Sequence, residues 1–181
     1  QNISDMNIYP PTVLGHPGIL QIGQAATGWN VISITPLPAV SEIDLLQYVG
    51  MFDAIALSGE GYAFGLMDNV AIAVDGSALG VYFKYSYGDT NWRSVTTFGI
   101  STTTYDTGVP FVAGDWYLFE IKRTSSIDFE FYINRVLVQT NTSDYASDVI
   151  PMFAMNNQGT GNTAYLDYFG MQLAPLITRW D

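Results

Sequence analysis

The sequence predicts an all-β fold, an antiparallel two-sheet β-sandwich, on two observations. Its apolar stretches alternate with period two, and none sustains apolar residues at i, i+3, i+4 and i+7 over three turns. Gly, Asp, Asn and Ser then punctuate those stretches at Gly59–Gly61, Asp75–Gly76, Gly88–Asn91, Gly114–Asp115 and Gly159–Asn162. About ten short strands at such spacing mean a sandwich or a barrel. The sandwich is favoured because two facing sheets can hold many inward aromatics.

The elements follow in order. The first forty residues are irregular, because "YPPT", "GHPGIL" and "TPLPAV" interrupt pairing with Pro and Gly. They hold one clear strand, "WNVISIT" (29–35); residues 1–14 are expected to be an arm docking on a neighbour, and 15–181 a single sandwich domain. Strands are then expected at 39–49, 61–67, 70–74, 79–87, 92–100, 115–124, 127–140, 149–157 and 163–174. Along 79–87, Val81, Phe83, Tyr85 and Tyr87 share one face, and Tyr82, Lys84 and Ser86 the other. Along 115–124, Trp116, Leu118, Glu120 and Lys122 oppose Tyr117, Phe119, Ile121 and Arg123. "TSS" and Asn134–Arg135 turn the chain into two further strands, giving a meander with a buried apolar face. Trp116, Phe119, Phe129, Phe131 and Phe83 are expected in the core.

Composition narrows the function classes. Of 181 residues, 48% are hydrophobic, enough for a packed core, and only 13% are charged. Six basic residues against 17 acidic ones leave a net charge of −11, so nucleic acid and polyanionic membrane surfaces are disfavoured as partners. No apolar run approaches a membrane span, and membrane insertion is not expected. Cysteine is absent, which excludes disulfides, thiolate zinc sites and a cysteine nucleophile. The chain opens on Gln1 with no signal peptide, which suggests processing or trimming.

Several motifs carry a resemblance. "AGDWYLFEIKRTSSIDFEFYINRVLVQTNT" resembles the Trp strand and following strand of concanavalin A-like lectin/glucanase sandwich domains, and "AYLDYFGMQLAP" is similar to their last strand. With "GHPGILQIG", "YAFGLMDN" and "GVYFKYSYGDTNW", the series resembles modules of bacteriophage fibre, spike and capsid decoration proteins over residues 15–174. The resemblance implies a concanavalin A-like jelly roll. One departure is Arg135 after Asn134 where the family carries Asn-Gly, so a different turn is expected there.

Catalytic and metal chemistry find little support. "EIDLLQ" (42–47) resembles the catalytic strand of laminarinase-type glucanases, in which Glu-Ile-Asp is followed by two residues and a Glu. Here Leu46 or, with a bulge, Gln47 takes the last place, and neither donates a proton as a carboxylic acid does. A strand with two solvated acids is the plainer reading of Glu42 and Asp44. His16, in "GHPG", reads as a turn residue rather than the base of a Ser-His-Asp site. One His and no Cys argue against zinc. Asp68 and Asn69, Asp89 and Asn91, Asp144 and Asp148, and Asn156 and Asn157 form no spaced calcium loop, and each reads first as turn chemistry. No catalytic residue, metal or cofactor is expected, although Glu60 or Glu130 in an unrecognised carboxylate pair stays open.

Binding remains. The chain is 14% aromatic, and exposed rings can stack on sugars or anchor interfaces. Tyr87, Trp92 and Arg93, beside the "GDTN" turn, are the carbohydrate-binding candidates, with packing at a sandwich end the plainer reading of Trp92. The resemblance implies a non-enzymatic virion structural module at the particle surface. Its partners would be other virion proteins and copies of itself, a trimer fitting such parts. The alternatives are a carbohydrate-binding module for a host surface glycan and, behind it, a glycoside hydrolase.

Overall fold

The computed structural model describes residues 6–8, 19–23, 28–33, 43–55, 57–68, 78–98, 100–144, 149–157 and 162–173. These form strands β1 (Met6–Ile8), β2 (Leu20–Gly23), β3 (Gly28–Ser33), β4 (Ile43–Phe52), β5 (Gly61–Met67), β6 (Gly80–Ser86), β7 (Asn91–Phe98), β8 (Ser101–Pro110), β9 (Trp116–Arg123), β10 (Asp128–Ile133), β11 (Val136–Thr142), β12 (Ile150–Asn157) and β13 (Thr163–Leu173). The expected strand at 70–74, together with His16, Glu42, Asn69 and Asp148, lies outside the described residues. So does most of the expected arm, although β1 pairs with β2.

Two antiparallel sheets result. The seven-stranded sheet runs β1-β2-β13-β4-β9-β10-β11, and the six-stranded sheet runs β3-β12-β5-β6-β7-β8. Alternation puts Tyr48, Phe52, Phe64, Phe83, Phe119, Phe131 and Phe153 between them, all buried. Phe64 and Phe119 meet across the interface at 4.4 Å between ring centroids, and Phe83 meets Phe131 edge-on at 5.2 Å. Burying each such ring stabilises the fold by about 1.5–3 kcal/mol.

Two features of the sheets differ from simple alternation. β5 is buried at every position, because Ala63 and Met67 join Tyr82, Val95, Met152 and Ala154 in a second apolar cluster on the opposite face of the six-stranded sheet. β8 is the reverse case. It alternates only between exposed and half-buried, since it is an edge strand of Ser and Thr, and its sequence offered no apolar period to read.

The β10–β11 turn corrects the expectation of a different geometry. Asn134 (φ 52°) and Arg135 (φ 65°) are both left-handed, the two-residue hairpin conformation that Asn-Gly favours. Asn134 is fixed there by its own backbone and side chain. Its N–H donates to the Leu118 carbonyl at 2.8 Å, and its Oδ1 accepts from the Leu118 N–H at 2.9 Å. Arg135 therefore holds a conformation that costs a non-glycine residue about 1–2 kcal/mol.

Candidate functional site

The outer face of the seven-stranded sheet is the surface on which aromatic and polar groups converge. β9 sends Tyr117, Phe119 and Ile121 into the core, so Trp116, Leu118, Glu120 and Lys122 face outward. Trp116 is accordingly half-buried beside Met51 rather than a core residue, which corrects its expected place by the same alternation that buries Phe119. β10 adds Glu130 opposite Lys122 and Tyr132 opposite Glu120.

β4 answers the question that "EIDLLQ" raises. The register shifts opposite Asp44, so Leu46 turns inward and is buried, while Gln47 faces out between Gly170 and Glu120. Gln47 Nε2 donates to Glu120 Oε1 at 2.6 Å. An amide thus stands where the glucanase-type strand places a carboxylate. Asp44 instead lines a shallow depression of about 230 Å³ with Arg123, Thr124 and Ser125.

β13 contributes the aromatic platform. A bulge between Leu166 and Tyr168 resets the alternation, so that Tyr165 and Tyr168, three apart, both face outward while Leu166 and Phe169 pack on the core. Tyr168 is 50% exposed. Its ring lies over Gly170, where any side chain would overlap the phenol, so the glycine is the space that the far end of the ring occupies. Tyr165 accepts a hydrogen bond from Gln21 Nε2 at 3.4 Å.

The polar groups here are mutually bonded. Tyr132 OH donates to Glu130 Oε2 at 2.7 Å, and Lys122 Nζ stands 3.6 Å from the same oxygen. That bond to Glu130 raises the Tyr132 pKa above its ordinary value, with desolvation and the Glu130 and Glu120 charges adding to it. The phenol therefore stays a neutral donor. Both carboxylates keep lone pairs free to accept hydroxyl protons.

The residues singled out from the sequence do not form one site. Tyr87 is 52% exposed, in the turn after β6, with its N–H on the Glu60 carbonyl at 3.1 Å. Trp92 is 0% exposed. Phe119, Phe52, Phe111 and Tyr85 surround it at 4.8–5.5 Å, so it is a core residue and no surface platform. The reason is parity, since Trp92 opens β7 on the inward side. Arg93, its outward neighbour, lies between Asp106 at 2.9 Å and Asp89 at 3.3 Å. The Asp106 carboxyl is held below the ordinary aspartate range by the Gly108 N–H, by Asn91 Nδ2 and by Arg93.

Glu60, Asp68 and Asp89 brace connections between strands. Glu60 is fully buried and accepts from the Leu57 N–H and from Asn162 Nδ2, each at 2.9 Å. Asp68 accepts from the Leu79 N–H at 2.8 Å, and Asp89 from the Ser86 N–H at 3.1 Å. Among the described residues, no group of three or more His, Asp or Glu is placed to hold a metal ion.

Sequence reading missed Tyr168, Gly170 and Glu120 as a site. "DYFG" offers a local signal, a ring two residues before a strand glycine. The Gln47–Glu120 pairing spans 73 residues and had no local signature.

Neither a protein-family model nor a curated protein matches this chain by sequence. Solved structures do match by fold. A β-glucanase of Bacillus licheniformis superposes with a TM-score of 0.58 at 13% identity, over 86% of this chain and 78% of that one. A carbohydrate-binding module from Bacillus subtilis gives 0.53 at 12% identity, over 84% and 86%. The ligand-binding domain of botulinum neurotoxin serotype D, in complex with N-acetylneuraminic acid, gives 0.60 at 10% identity. There the match takes 96% of this chain and 42% of the toxin chain. The fold is thus the concanavalin A-like jelly-roll sandwich.

Proposed function

We infer that this chain is a non-enzymatic recognition module that binds carbohydrate through the outer face of its seven-stranded sheet. The observation that carries this is the Tyr168 ring laid over Gly170 beside the Gln47–Glu120 bond. A flat exposed ring receives the C–H face of a pyranose, and adjacent amide and carboxylate oxygens accept its hydroxyls. The likeness to a carbohydrate-binding module supports the reading. Against catalysis stands Gln47, an amide in the outward position that a retaining mechanism would fill with a second carboxylate.

A second reading concerns setting. The ordered motifs of residues 15–174 resemble virion fibre, spike and decoration modules, and in such a particle this face would serve adhesion to a host glycan. Other virion proteins and further copies of the chain, a trimer included, would then be its structural partners.

The test is binding of the purified chain to a broad glycan panel, with reducing-sugar release followed in the same wells. Saturable binding without release, lost in Tyr168→Ala at unchanged melting temperature, is the expected result. Release of reducing sugar would overturn the non-enzymatic reading, and binding indifferent to Tyr168 would overturn the assigned face.

A further inference from the structure

We propose that this face selects neutral, hydroxyl-rich glycans and rejects those carrying carboxylate, sulfate or phosphate. The inference rests on the carbohydrate-binding reading and adds the class of ligand.

The chain has only six Lys and Arg residues against 17 Asp and Glu. An anionic sugar needs a cation or several converging N–H donors to replace its water. Two of the cations belong to the other sheet. Lys84 is buried on β6 with Nζ 3.4 Å from Ser86 Oγ, and Arg93 lies between Asp89 and Asp106. Arg123 Nε is taken by the Ser125 carbonyl at 2.8 Å in the β9–β10 turn. Arg135 is exposed in the β10–β11 turn, at the end of the strands rather than along the face, and Arg179 lies outside the described residues.

That leaves Lys122 as the described cation on the strands of the outer face, and its Nζ stands 3.6 Å from the opposing charge of Glu130. Around it the face offers acceptors. Glu120 takes the Gln47 amide and Glu130 takes the Tyr132 hydroxyl, and each retains capacity for more donors. A sugar hydroxyl supplies such a donor, whereas a ligand carboxylate brings only further acceptors against Glu120 and Glu130. The net charge of −11 opposes the approach of an anion before contact is made.

The experiment titrates the whole chain with neutral gluco- and galacto-oligosaccharides, each matched with a sialylated, a sulfated and a uronate form. Neutral forms are expected to bind at least about tenfold more tightly at low salt, with the gap narrowing as ionic strength approaches about 0.15 M and beyond. Glu130→Gln, which frees Lys122 from its counter-charge, is expected to narrow the gap at fixed salt while the melting temperature holds. Equal or tighter binding of the anionic forms overturns this inference and leaves the binding reading standing. Failure of a folded sample to bind any glycan overturns the binding reading beneath it.

Discussion

Tyr168 and Gly170 form one unit: the phenol ring lies where a side chain on residue 170 would stand, with Cε1 2.6 Å from that Cβ position. Gly170→Ala is therefore expected to lift the ring rather than break the strand, because the far end of a tyrosine moves more easily than backbone. Glycan affinity should fall about tenfold, or about 1.4 kcal/mol, with little change in melting temperature. Calorimetric titration beside a thermal melt separates the two effects, and unchanged affinity would detach the ring from recognition.

Gln47→Glu puts a second carboxylate against Glu120, at a contact that is now 2.6 Å. Like charges so close raise one folded-state pKa above its unfolded value. A carboxylate with a raised folded pKa destabilises the fold above that pKa, and the loss is relieved as pH falls through it. The variant should thus be weaker than wild type by about 1–3 kcal/mol at pH 7, with the gap closing toward about pH 4. Melts across that range check the sign, and no reducing-sugar release is expected to appear.

Trp92→Ala should act through the core alone. The indole is fully buried among aromatic rings, and removing such a side chain costs about 3–5 kcal/mol. Urea unfolding should show a much lower midpoint. Where the variant still folds, its sugar affinity should match wild type.

Arg135→Gly should stabilise the chain. The left-handed φ of 65° at Arg135 suits glycine, and relief of that strain, offset in part by a freer unfolded chain, leaves about 0.5–1 kcal/mol. A melting temperature that fails to rise would show that the arginine side chain itself contributes to the turn.

Asp106→Asn addresses the cluster on β7 and β8. The Asp106 pKa is depressed by the Gly108 N–H, by Asn91 and by Arg93, so its stabilising contribution is present above the unfolded aspartate value of about 3.9. It is lost as pH falls through the lower folded value. The wild-type advantage over the variant should be full at pH 7 and gone in strong acid, as paired melts would record.

The sequence announced most strands through period-two alternation, and β5 matches its expected bounds, 61–67. β8 escaped because "STTTYDTGVP" sits on an edge with little to bury. β2 escaped because Pro and Gly around it masked a four-residue strand. The binding face was legible only in pieces. Alternation placed Glu120 and Lys122 on one side, but the bulge that turns Tyr168 outward and the register that sets Gln47 beside Glu120 are tertiary facts. Trp92, a binding candidate for its nearness to a polar turn, follows the plainer reading of packing instead, because its parity on β7 decides burial.

The strand order also bears on how the chain comes off the ribosome. β13 lies between β2 and β4, and β12 lies between β3 and β5. Among β1–β4 only the short β1–β2 pair joins strands to each other, so the edges that β12 and β13 later cover stay open as the chain emerges. Each sheet waits for one of the last two described strands before it is continuous. Such distant pairing closes slowly, and until then the half-made chain is exposed to aggregation, as unpaired strands are. Synthesis that stalls before β12 would leave both sheets split, with β3 and the β1–β2 pair cut off from the strands that β12 and β13 join them to.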